Sequence, residues 1–164
     1  MQSPKKPEIN LYGPATERVS FLWTESLRTG HDTIDRQHQA LYEAFHGITQ
    51  LLEVPDVNLK YWFGLVLRKT EDYVLTHFAD EEKLMTDLSY PNVHVHQLQH
   101  QEIVEALKKH QTVITQLKTD AEKRAEARAL LRFLEDWLND HVLVSDKDLV
   151  NFICQTAKGR ELLS

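Results

Sequence analysis

A single cysteine, Cys154, in 164 residues excludes a disulfide framework within the chain and a cage of thiolates around a metal. Glycine and proline are scarce, five of each, too few for a turn-rich all-β sandwich. No uninterrupted run of about 18 apolar residues occurs, so no membrane-spanning helix is expected. Residues 1–20 lack the apolar stretch of a secretory leader, and a cytoplasmic location is the expectation. A basic face is missing as well: the net charge of -6 argues against a nucleic-acid partner, whose phosphates need cations opposite them. With 41% apolar and 27% charged residues, the composition is that of a globular domain with one core, which excludes disorder. What stands out is histidine, nine in all.

Apolar residues recur at helical spacing along four stretches. From Thr33 to about Val54 the stripe runs Ile34, His38, Leu41, Phe45, Ile48 and Leu52, in steps of three and four. From Val57 to Leu88 it runs through Phe63, Leu67, Thr70, Val74, His77, Glu81, Leu84 and Leu88. From Pro91 to Lys118 it includes His96, His100, Ile103, Leu107, His110 and Ile114. The fourth, from about Ala121, gives Leu130, Leu134, Trp137, His141 and Val144. Leu149, Phe152 and Ile153 predict a short C-terminal helix between Asp148 and Leu163. The breaks carry cap chemistry: His31-Asp32-Thr33 before the first stretch, Asp56 before the second, Pro91 in the first turn of the third, Asp120 before the fourth. Short connections make successive helices antiparallel. The prediction is an all-α protein: an up-down-up-down four-helix bundle over 21–164, preceded by an N-terminal arm over 1–20.

Each stripe carries polar residues that burial penalises unless they are satisfied. His77 and Glu81 are four apart, as are His96 and His100. Four steps leave about 40° of offset in an α-helix, so each pair reaches one point. His141 and Asp146 are five apart, an offset of about 140°. Either the helix loosens there to a π-type turn or the two side chains approach a centre from different sides. With His38 from the first helix, the candidate ligands are His38, His77, Glu81, His96, His100, His141 and Asp146. Seven are too many for one tetrahedral zinc and too nitrogen-rich for calcium or magnesium. Two six-coordinate irons sharing both carboxylates and one solvent-derived oxygen would use them all and leave one position open. Ligand type suits iron without selecting it uniquely. His31, His46 and His94 read as surface or interhelical groups, and His110 as a polar contact toward the far end of the bundle.

Four segments, WTESLRTGHDTIDRQHQAL (23–41), HFADEEKLM (77–85), YPNVHVHQLQH (90–100) and WLNDHVLVSDKDL (137–149), taken in this order resemble the hemerythrins, and among them the bacterial ones. The resemblance implies two iron ions and no haem. His96, His100 and His141 would hold one iron, and His38 and His77 the other, whose open position takes O2. Glu81, Asp146 and an oxo or hydroxo group would bridge. Trp23, Leu41, Phe45, Phe78 and Val142 are expected to line an apolar O2 pocket, with Trp62 and Trp137 as further shields or plain core. The implied function is reversible O2 carriage, storage or delivery, by a binding protein rather than an enzyme, with room for an O2-consuming enzyme as receiver. The alternatives are sensing of O2, NO or iron through a partner, and peroxide or NO reduction at the same irons.

Overall fold

The computed structural model describes residues 20–156; the expected arm, apart from Ser20, and the end of the expected C-terminal helix lie outside them. Among the described residues four helical rods follow a short 3-10 turn (Glu25–Leu27), and no strand occurs. The first rod is α1 (Asp32–Leu52). The second joins α2 (Leu59–Tyr73), a π-helical turn (Val74–Phe78) and α3 (Ala79–Asp87) without a break. The third is α4 (Val93–Gln116). The fourth runs through α5 (Asp120–Asp140), a π-helical turn (His141–Asp146) and α6 (Lys147–Gln155). The connections are residues 53–58, 88–92 and 117–119, which return each rod antiparallel to the last. No helix among the described residues is long and apolar enough to cross a membrane.

The caps differ in detail from expectation. His31 caps α1, its Nδ1 accepting from the Ile34 amide at 3.4 Å. Asp56 does not cap α2, because its φ of +58° is a left-handed conformation that closes the turn, whereas an N-cap needs extended backbone. Asn58 takes the role, its Oδ1 accepting from the Tyr61 amide at 3.1 Å. Pro91 lies in the turn before α4, which starts at Val93. Thr119 rather than Asp120 caps α5. Its hydroxyl accepts from the Glu122 amide, and the Glu122 carboxylate accepts from the Thr119 amide at 2.9 Å, a reciprocal box that satisfies two otherwise unpaired donors.

One core runs along the inside of the rods, from Leu52, Leu59, Trp62, Phe63 and Val66 through Phe45, Leu130 and Leu134 to Phe78 and Val142. A second cluster, Met85, Leu88, Tyr90, Leu149 and Ile153, closes the other end. Between them lies a layer of buried polar groups. The expected stripe fails at Val144, which is 66% exposed. The π turn adds one residue per turn and brings Val142, Ser145 and Asp146 inward instead. Trp62 belongs to the core, its indole N–H donating to the Ile48 carbonyl at 2.9 Å.

Candidate metal centre

Each rod contributes to the polar layer: α1 supplies His38; the second rod supplies His77 from its π turn and Glu81 from α3; α4 supplies His96 and His100; the fourth rod supplies His141 and Asp146 from its π turn. None is more than 4% exposed. The five-residue spacing of His141 and Asp146 is reconciled by the π turn. At about 4.4 residues per turn, i and i+5 share a face, and His141 Nε2 lies 3.2 Å from Asp146 Oδ1.

The side chains gather into two groups, each with donor atoms within 4.8 Å of one another: Glu81, His96, His100 and His141 in one, His38, His77, Glu81 and Asp146 in the other. Glu81 belongs to both, and its Oε2 is 3.5 Å from His77 Nε2, 3.4 Å from His96 Nε2 and 3.5 Å from His100 Nε2. Asp146 straddles them with different oxygens. Its Oδ1 faces His96 at 3.3 Å and His141 at 3.2 Å, and its Oδ2 faces His38 at 3.0 Å. Within each group imidazoles meet Nε2 to Nε2, His38 with His77 and His96 with His141, both at 3.2 Å.

This donor set fits metal ions. Both oxygens of Glu81, both of Asp146 and His100 Nε2 are buried with no hydrogen-bond partner, a costly state for two carboxylates in a dry interior. Two nitrogens each about 2.1 Å from one ion and at right angles to each other stand about 3 Å apart, close to the imidazole spacings found. The outer nitrogens orient the rings. His77 Nδ1–H donates to Gln37 Oε1 at 3.0 Å, and His100 Nδ1–H to Glu82 Oε1 at 2.9 Å, leaving each Nε2 lone pair aimed inward. Gln37 and Glu82 were not visible as site residues in the sequence, where nothing but adjacency to His38 and Glu81 marks them.

The electrostatics of these side chains agree. Burial pushes His77 and His141 down to about 4 against the pull of the carboxylates, so both imidazoles are neutral near neutral pH, each with a free lone pair. Burial also opposes charge on His96, but the Asp146 and Glu81 carboxylates that face it outweigh that and lift it to about 9. Burial and Asp146 push Glu81 upward; His77, His100 and His96 prevail and hold it at about 2. Asp146 is held well below the usual range, with His141 and His38 overcoming burial.

Aromatic rings wall the layer. Phe78 lies flat on His100 (3.7 Å, 3°), Trp137 on His141 (4.4 Å, 14°) and Tyr73 on His77 (4.4 Å, 20°). Trp23 sits 6.3 Å from His38, tilted, and against Tyr42. Of the expected pocket residues, Leu41, Phe45 and Phe78 line a small cavity together with Tyr73 and Trp137. Trp23 and Val142 do not line it; Val142 is fully buried in the core. Tyr73 was missed, although it stands four residues before His77 and so shares its face. The other histidines are elsewhere: His94 is exposed, His46 Nδ1 lies 2.6 Å from the Ser20 carbonyl, and His110 Nδ1 pairs with Glu126 Oε1 at 2.7 Å inside the bundle.

Comparison with known proteins agrees with this geometry. A bacteriohemerythrin of Clostridium acetobutylicum is 24% identical over 132 residues, 80% of this chain and 99% of that protein. One of Stenotrophomonas maltophilia is 26% identical over 128 residues, 77% of each. A myohemerythrin of Theromyzon tessulatum is 25% identical over 126 residues, 77% of this chain and 88% of that protein. No solved structure matches the chain significantly. The family model for the hemerythrin HHE cation binding domain matches residues 29–153, a span that takes in all seven clustered side chains, and the chain belongs to that family.

Proposed function

We propose that this protein binds O2 reversibly at two non-haem irons held by His38, His77, Glu81, His96, His100, His141 and Asp146, with the bundle over 21–164 as the functional unit. The observation that carries the reading is the pair of buried clusters with one shared carboxylate, Glu81. His96, His100 and His141 would hold one ion and His38 and His77 the other, with Glu81 and Asp146 serving both and offsetting their charge. Two ferrous ions, when bound, supply the electrons that O2 takes up and returns. The chain's own residues make the exchange reversible. The His38/His77 side has one imidazole fewer, which leaves it the room for a ligand. Leu41, Phe45 and Phe78 add an apolar wall to the layer and help to keep water from it. Gln37 and Glu82 fix the rings that would otherwise reorient when a ligand enters.

The reading makes the protein a carrier, store or donor of O2, not a catalyst. The test is a cycle: load iron, reduce without air, admit O2, then sparge with inert gas. A visible band that appears with O2 and disappears on sparging, repeatedly, supports it. Irreversible oxidation in the first cycle contradicts it, and multiple turnovers with peroxide or NO would make the protein a reductase instead.

A further inference from the structure

Tyr73 ends α2 one turn before His77, and its ring covers the His77 imidazole at 4.4 Å. Its hydroxyl is fully buried and has no hydrogen-bond partner. Buried phenols normally find one, as the neighbouring Tyr42 does by donating to Asn139 Oδ1 at 2.7 Å. Tyr73 also lines the small cavity shared with Leu41, Phe45 and Phe78. Thr70, which also lines it, has its hydroxyl committed to its own helix, donating to the Val66 carbonyl at 2.9 Å. The cavity has about 10 Å³ of room for the centre of a water-sized sphere, enough for one water at most, so a larger ligand needs the open position beside His77. A buried, unpaired donor whose ring stands against the His77 imidazole is a binding group awaiting its acceptor.

We propose that Tyr73 is the hydrogen-bond donor of the ligand pocket, its hydroxyl selecting compact anions of two or three atoms seated beside His77. The inference rests on the di-iron reading above. A phenol O–H is a donor throughout the neutral range. It discriminates among ligands of one size. A ligand that carries negative charge when bound gains the bond, and a neutral one of the same shape gains little.

The probe is azide, titrated into the iron-loaded, oxidised full chain and followed by its absorption band, in wild type, Tyr73→Phe and Tyr42→Phe. Tyr73→Phe is expected to keep two irons and bind azide about tenfold more weakly, the change that one charge-assisted hydrogen bond carries. Tyr42→Phe is expected to bind azide as wild type does. In the metal-free state Tyr73→Phe is expected to melt no lower than wild type, because it removes an unsatisfied group, whereas Tyr42→Phe, which loses a bond, melts lower. A second readout needs no variant: the bound azide stretch of wild type shifts between H2O and D2O if a phenol donates to it. Unchanged azide affinity in Tyr73→Phe, a lower metal-free melting point for it, loss of its iron, or no isotope shift in wild type each overturns the assignment. A wild-type protein that takes up no iron overturns the di-iron reading and this inference together; one that takes up two irons and azide, with Tyr73→Phe indistinguishable, overturns only this one.

Discussion

Replacing Glu81 with glutamine is the perturbation that separates two linked sites from a loose nest of ligands. Glu81 is the one side chain common to both clusters, within 3.5 Å of imidazoles from two rods, and the amide keeps its shape while removing its charge. His77 belongs to one cluster only. The expected iron contents are therefore two per chain in wild type, about one in His77→Ala, and close to none in Glu81→Gln. Stability scales with these counts. At free ferrous ion about 100 times the dissociation constant, each bound ion adds about 2.7 kcal/mol. For a chain of this size that is about 5–10 °C in Tm per ion. Wild type should gain about twice that on loading, His77→Ala about once, and Glu81→Gln almost nothing. The assay pairs iron quantitation after desalting with thermal unfolding monitored by circular dichroism, with and without iron. Glu81→Gln that retains two irons and the full gain in Tm refutes the shared-carboxylate geometry. His77→Ala that loses both ions refutes the division into two clusters.

Other consequences follow from single contacts. Glu82→Ala removes the acceptor of His100 Nδ1–H and should weaken iron at that cluster by about 10–100-fold, read by competition with a chelator, while the metal-free Tm changes little because Glu82 is partly exposed. His110→Ala strips the buried Glu126 of its 2.7 Å partner and should cost about 2 kcal/mol or more in denaturant unfolding, with iron content unchanged, because the pair lies outside both clusters. Asp35 accepts from the Thr29 amide and hydroxyl, both at 2.8 Å, and from the Gly30 amide at 3.1 Å. Burial pushes its carboxyl upward, but these bonds prevail and hold it below the usual value. A lowered folded pKa means stability that is present above about pH 4 and lost as pH falls through the folded value. Asp35→Asn should therefore lower stability at pH 7, and its deficit should shrink below about pH 4, as metal-free melting curves at the two pH values will record.

Much of this was legible in the residues because two periods, 3.6 and the ligand spacing, carry the information independently. The steps from Ile34 to Leu52 predicted α1 within a residue or two of Asp32–Leu52. The four-residue pairs His77/Glu81 and His96/His100 converge as helical geometry requires. The five-residue pair left two alternatives open, and the fourth rod adopts the π turn. A stripe drawn at 3.6 through that turn put Val144 inward, where the extra residue turns it out to solvent. The caps of α2 and α5 escaped because Asp56 and Asp120 each have a neighbour, Asn58 and Thr119, whose backbone is extended where theirs is not. Tyr73 escaped for a different reason. An aromatic four residues before a histidine is ordinary in a core, and only the missing partner of its hydroxyl sets it apart.

The central claim is that two ions sit inside the bundle, between rods that would otherwise bury unpaired carboxylates. Diffraction from crystals of the iron-loaded chain, recorded at the iron absorption edge, tests it most directly. The account predicts two anomalous peaks in the interior, one against the Nε2 atoms of His96, His100 and His141 and one against those of His38 and His77, with Glu81 and Asp146 between them. A single peak, or iron bound only away from these seven side chains, would contradict it.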